Sequence, residues 1–369
     1  MKFTCLREDI LSAVMKAEKA VSPKSTLAVM EGILIEAEID KVYISGNDLE
    51  IAIEASFQAR VERTGRIVLN SRMFTDIIRK TGGVDVTFEV GENYHTTITS
   101  GPAVFKIAGI NADEFPDTYD FEISDSIIIE SKVLKDMIRQ SIFAASKDTF
   151  RQILTGELFR VKDDILNVVA IDGHRFAIRR EKLVKTAEIK DFVVPHRTLN
   201  ELMKILSDEG EIEIFPSKKY IMFEFGNCKL FSRTLEGDFF DYENLVKTEC
   251  SIKLKTRVKE LKNSFERVLP ILYDEKKAKS PVRLTLYENE VTVDCVTLTG
   301  TVHDRVDVEK LYGGDIEIGF VNQYLLDAFS ACDEDEVFVE FSTPLSPMLL
   351  TPVEGDKFFY FILPVVLKK

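Results

Sequence analysis

The chain has 369 residues, 45% of them apolar, with a mean hydropathy of −0.02; it is too long for one core and reads as a globular protein of two or three domains. It has no run of ~18 apolar residues and no charged-then-apolar leader ending in a small-residue cleavage site, so membrane helices and export are not expected and the cytoplasm is the expected compartment. Five scattered cysteines without CxxC spacing argue against a disulfide framework or a zinc site, and a net charge of −14 argues against a nucleic-acid partner unless the positive charges are gathered in one place.

In chain order, the first expected helix runs from Arg7 to Ala20, with Ile10, Val14 and Ala17 on one face. The apolar run Ile67-Val68-Leu69 then meets a polar break at Asn70-Ser71, followed by helical spacing around Phe74. Alternation predicts strands at Val84–Val90, Thr96–Thr99 and Val104–Ile107. A linker signal, Asp113-Glu114-Phe115-Pro116-Asp117, closes this stretch.

The same order then recurs. A helix is expected from Lys132 to Ala145, a second helix around Leu199 after Phe192-Val193-Val194-Pro195, and strands at Ile212–Phe215, Tyr220–Phe225 and Lys229–Thr234. A related linker signal, Gly237-Asp238-Phe239-Phe240-Asp241-Tyr242, follows. The third round has a helix from Arg257 to Leu269, another around Tyr324 after Glu317-Ile318-Gly319-Phe320, and strands at Val337–Phe341, Pro347–Thr351 and Phe358–Leu363. Phe74, Leu199 and Tyr324 are each 125 residues apart. A spacing that constant implies three copies of one α+β domain, each built of two helix-plus-strands halves, at residues 1–121, 122–249 and 250–369.

Two features point to function. The turn Ile171-Asp172-Gly173-His174-Arg175-Phe176 lies between apolar runs. An Asp-Gly pair there suits a tight turn, while Asp and His two residues apart also fit an acid/base pair or metal ligands. A metal-dependent phosphoester hydrolase using Asp172, His174 and His196 is the enzyme alternative. With four histidines and no HxH, HExxH, GxxxxGK[ST] or serine-elbow pattern, little supports it, and no cofactor is expected. The second feature is charge placement. The expected helical stretches sum to about +10 and the remainder to about −24. A basic helical surface poor in aromatics would touch phosphates and ignore base sequence. The plainer alternative is ordinary solvated lysine and arginine on helices.

Taken together, the threefold repeat, the basic helices and several short stretches closely resemble the bacterial DNA sliding clamps, the beta subunits of DNA polymerase III. The stretches are Met1-Lys2-Phe3-Thr4, Asn47-Asp48-Leu49-Glu50-Ile51, Asp172-Gly173-His174-Arg175, Val194-Pro195, Glu317-Ile318-Gly319-Phe320 and Leu363-Pro364, and the match covers the whole chain. The resemblance implies a head-to-tail homodimeric ring, helices inside and sheets outside, that encircles double-stranded DNA and tethers a polymerase without catalysing a reaction. It implies an apolar pocket for short peptides of partners such as the replicative polymerase alpha subunit and the clamp-loader delta subunit. Carried over residue by residue, that pocket takes Leu154, Ile171, Gly173, His174, Arg175, Phe176, Leu245, Tyr324, Met348, Leu363, Pro364 and Val365. Phe240, Asn244 and Val366 stand at its rim where relatives often have Pro, Arg and Arg, and Lys368 and Lys369 extend past Leu367. DNA contacts are implied at Lys24, Lys147, Arg151, Gln152 and Arg197, with the basic stretch Lys253 to Arg267 as an addition. The ring interface is implied at Phe105 and Ile107 against Ile271 and Leu272. The non-enzyme alternative is a monomeric peptide-binding scaffold that never meets DNA.

Overall fold

A computed structural model describes residues 1–22, 24–25, 27–116, 125–272 and 280–367. Its chain forms two compact units: Met1–Lys132, Val184–Ile189 and Arg197–Thr234 make the first, and Val133–Leu183, Lys190–His196 and Leu235–Lys369 the second. The expected boundary at residues 121 and 122 lies outside the described residues.

The helices follow the expected order: α1 (Arg7–Ala17), α2 (Ser71–Lys80), α3 (Ser131–Ser141), α4 (His196–Ile205), a short α5 (Glu243–Val246), α6 (Val258–Leu272) and α7 (Asn322–Ala331). Each of α1, α2 and α7 buries one stripe, for example Ile10, Val14 and Ala17 in α1 and Phe74, Ile77 and Ile78 in α2. In α7 the buried stripe is Asn322, Leu325, Ala328 and Phe329. The residue that matches Phe74 and Leu199 is therefore Leu325, and the repeat lengthens by one residue in the third copy; Tyr324 faces elsewhere. The nine expected strands appear with ends shifted by two residues at most, as in Asp85–Val90, Tyr220–Phe225 and Phe358–Ile362. No helix among the described residues is long and apolar enough to cross a membrane.

Among the described residues the strands are antiparallel throughout and fall into four sheets. In the first unit a five-stranded sheet ends at Ala103–Ala108, and an eight-stranded sheet joins strands of two copies where Cys228–Arg233 pairs with Ile51–Gln58. In the second unit a nine-stranded sheet joins copies where Arg175–Lys182 pairs with Phe358–Ile362, and a four-stranded sheet ends at Thr301–Asp307. The central copy is thus divided between the units, because its two sheets are continuous with different neighbours. The nine-stranded sheet is buried on both faces, as alternation along Phe358–Ile362 records. Phe359 and Phe361 pack with Leu154, Ile171 and Phe176, while Phe358, Tyr360 and Ile362 pack with Leu350, Ala177 and the core around α6 and α7.

Candidate functional site

The turn at Asp172 is a closed hairpin end in the second unit. The Asp172 amide donates to the Arg175 carbonyl (3.2 Å), and Gly173 has φ of +89°, which a Cβ would resist. Asp172 Oδ1 accepts from the amides of His174 (2.9 Å) and Arg175 (3.1 Å), and Oδ2 accepts from Arg175 Nε (2.9 Å). The carboxylate is spent inside the turn, which leaves no acid/base pair with His174. His196, the third member of that alternative, opens α4 away from the pocket lining, and burial followed by the nearby Lys147 charge lowers its pKa.

Arg175 is 7% exposed. Beyond Asp172, its Nη1 donates to Asp327 of α7 (2.5 Å), and its guanidinium lies over the rings of Tyr324 (4.6 Å) and Phe143 (5.4 Å). A planar cation held by two carboxylates and two rings fixes the turn against α7. His174 stacks on Tyr324 at 6.0 Å between ring centroids, and its carbonyl accepts from the Leu363 amide (2.8 Å). Burial, then the Asp172 charge, raises the Tyr324 pKa.

In front of this turn lies a pocket of about 520 Å³ lined by the turn (Ile171, Gly173, His174, Arg175, Phe176), the segment Arg151, Ile153 and Leu154, the linker residues Asp238, Phe240 and Leu245, and the strand end Phe361 and Leu363. Nine of the residues expected there line it: Leu154, Ile171, Gly173, His174, Arg175, Phe176, Phe240, Leu245 and Leu363. Five do not. Met348 is in the core because period-two alternation turns it to the face opposite Leu349 and Phe361. Tyr324 stands behind His174 and Arg175. Asn244 is exposed on α5, whose inward residue is Leu245. After Leu363 the chain turns away, so Pro364 leaves the lining and Val365 pairs with Gly319, facing a second groove with Leu367, Arg283 and Glu317. Arg151, expected as a DNA contact, and Ile153, Asp238 and Phe361 also line the pocket; for Phe361 the signal in the sequence is its alternation with Tyr360, which faces the opposite core.

Lys24, Lys147, Arg151 and Gln152 are exposed, and none of the three cations has an ion-pair partner among the described residues. Arg151 also lines the pocket. Arg197 is otherwise engaged: it pairs with Asp48, and with Glu50 at 2.9 Å, so its charge is neutralised locally. In the stretch Lys253 to Arg267, Lys253, Lys255, Arg257 and Arg267 are likewise paired with Glu340, Glu309, Glu260 and Asp304, which leaves Lys259 and Lys262 as the free cations there among the described residues. Phe105 and Ile107 are half-buried on the edge strand of the five-stranded sheet. Ile271 and Leu272 are half-buried at the end of α6, where Ile271 Cδ1 would lie 3.3 Å from a Cβ at Gly300.

Three family models match in succession: the DNA polymerase III beta subunit N-terminal domain over residues 1–120, its central domain over 128–241 and its C-terminal domain over 244–366. The beta sliding clamp of Staphylococcus aureus (strain Mu50) is 34% identical over 375 residues, 99% of each chain. Among solved structures, a putative DNA polymerase III beta subunit from Eubacterium rectale is 32% identical with a TM-score of 0.93, and the DNA polymerase sliding clamp from Bacillus subtilis is 30% identical with a TM-score of 0.95, each covering 100% of both chains. The chain belongs to the DNA polymerase III beta-subunit family, the DNA sliding clamps, which act as processivity factors on DNA and catalyse no reaction of their own.

Proposed function

We propose that two copies of this chain join head to tail into a ring around duplex DNA, and that the pocket before Asp172 captures short peptides of the replicative polymerase alpha subunit, the clamp-loader delta subunit and other DNA-processing proteins. One observation carries the ring. At each internal junction, a strand that follows a tight turn pairs with the last strand of the next copy's half-sheet: Ile51–Gln58 with Cys228–Arg233, and Arg175–Lys182 with Phe358–Ile362. Thr301–Asp307 is the third strand of the first kind, Ala103–Ala108 the third of the second kind, and among the described residues both are open edges. An open edge invites a strand, and each of these has the other's kind as its natural mate. A second copy supplies it, with Phe105 and Ile107 brought against Ile271 and Leu272.

Retention is then topological. The DNA contacts at Lys24, Lys147, Arg151 and Gln152 need only be weak and directed at phosphates, which suits sliding without sequence preference. The pocket works by taking one or two large apolar side chains of a peptide against Leu154, Ile171, Phe176 and Phe361, each contributing a few kcal/mol at most.

The ring is tested on circles: loaded protein stays on nicked circular duplex and leaves when the circle is linearised, and retention on linear DNA with free ends sinks the reading. A particle of one 42 kDa chain at micromolar concentration would favour the monomeric scaffold instead. For the pocket, deletion of Leu363 to Lys369 is expected to abolish binding of a polymerase peptide with the dimer intact, and unchanged affinity refutes the assignment.

A further inference from the structure

Phe150 is 96% exposed, and among the described phenylalanines the next, Phe240, reaches 47%. Its loop is not loose. The Ser146 amide donates to the Leu154 carbonyl (2.8 Å), the Asp148 amide to Ser146 Oγ (3.0 Å), the Phe150 amide to Asp148 Oδ1 (3.0 Å), and Thr155 Oγ1 to the Gln152 carbonyl (2.7 Å). Water therefore surrounds the ring, and the backbone that carries it is fastened by these bonds.

The neighbours define what could cover it. Asp148 is the acidic residue of the loop, and its carboxylate is used on the Phe150 amide. Lys147 and Arg151 are exposed with no ion-pair partner among the described residues, Arg151 also lines the pocket, and Gln152 is exposed beside it in the chain. An aromatic face flanked by two free cations is the arrangement that holds single-stranded nucleic acid, one base on the ring and the adjacent phosphates on the charges. Intact duplex offers no such base, because each is already stacked on its neighbours.

We propose that Phe150 stacks on an unpaired base where duplex meets single strand, with Lys147 and Arg151 on the flanking phosphates, so that a clamp sliding freely on duplex halts at a gap or primer end. The inference rests on the reading that the chain surrounds DNA.

The test is a primer–template junction carrying 2-aminopurine as the first unpaired template base, titrated with the full-length dimer. Wild type changes the fluorescence of that base, and a label within the duplex gives no response. Phe150→Ala is expected to bind the junction about tenfold more weakly, while Phe150→Tyr restores it. Equal junction affinity of wild type and Phe150→Ala overturns the proposal. So does a Phe150→Ala that keeps the junction and loses the polymerase peptide, since the ring would then face a protein. Release on linearisation of a fully paired circle is read separately: if wild type persists on linear DNA, encirclement fails whatever the base probe reports, and if it leaves, a silent base probe removes Phe150 alone.

Discussion

Single residues decide whether the central turn can serve as a wall. Arg175 links Asp172, Asp327, Tyr324 and Phe143 from an almost fully buried position, so its loss leaves two partly buried carboxylates without their cation. Arg175→Ala is expected to lower stability by on the order of 3 kcal/mol and to weaken peptide binding, read by urea unfolding and peptide titration; unchanged peptide affinity would show that the turn keeps its place without α7. Glu157 makes a second prediction. It is fully buried, and burial holds its carboxyl well above the usual carboxylate range, with the Ser141 hydrogen bond opposing. Ser141 Oγ, which has one proton, lies 2.8 Å from the Met137 carbonyl and 2.7 Å from Glu157 Oε1; a protonated Glu157 donating to Oγ satisfies both contacts. A folded pKa above the unfolded value means that the stability it allows is present below the unfolded pKa, near ~4.3, and is lost as pH rises toward the folded pKa. Glu157→Gln keeps a donor to Ser141 and cannot ionise. Its urea midpoint should exceed wild type increasingly from pH 5 to pH 8 and converge with it near pH 4. Parallel profiles would show that Glu157 does not control this slope.

At the scale of elements, the same turn is built three times and fastened differently. Asp48 Oδ1 caps the amides of Glu50 and Ile51, Asp172 Oδ1 those of His174 and Arg175, and Thr297 Oγ1 those of Thr299 and Gly300. In the first copy an arginine on α4, Arg197, reaches the acidic turn; in the second the turn supplies the arginine and α7 the acid, Asp327. Arg197→Ala should therefore cost about 1 kcal/mol and leave the salt dependence of DNA binding unchanged. Lys147→Ala should shift the log–log salt slope by about one, the signature of a lost phosphate contact. An equal slope change in Arg197→Ala would return that residue to the DNA surface. This pairing also marks the limit of what the sequence discloses. Helices and strands were legible because 3.6- and 2-residue periods are local, and the turn was legible because Asp-Gly is a local signal. That Arg197 is neutralised by Asp48 and Glu50, some 150 residues away, is set by which strands pair, and no local period records it. The pocket itself depends on a comparable detail: Phe115 is buried against Val29, Met30, Leu34 and Val68, and its counterpart Phe239 packs against the cluster of Leu154, Ile171 and Phe176, whereas Phe240, where the first linker has Pro116, lines the pocket.

For the molecule as a whole, the repeat specifies how the open edges should meet. At each internal junction the residue that closes the turn opposes the fifth residue of the partner strand: Ile51 opposes Ser232, and Arg175 opposes Ile362. Gly300 closes the third turn, accepting from the Thr297 amide at 2.9 Å as Ile51 does from Asp48 and Arg175 from Asp172. The fifth residue of Ala103–Ala108 is Ile107. Carrying the register across sets Ile107 of one copy against Gly300 of the next, beside Ile271, and sets Phe105 against Val302. Directly opposed residues in an antiparallel ladder have Cα atoms about 4.5–5.5 Å apart, within the range a disulfide spans. Phe105→Cys combined with Val302→Cys should therefore close covalent dimers under mild oxidation, and a ring loaded on a circle before oxidation should survive denaturing detergent on that circle. Phe105→Cys with Asp304→Cys is two residues out of register on the same face and should not close. Native thiols interfere little, since Cys5, Cys228, Cys295 and Cys332 are buried and Cys250 is half-buried. Cross-linking by the Asp304 pair in preference to the Val302 pair would mean that the copies meet in a shifted register, and failure of both with dimers present in solution would mean that they join through other surfaces.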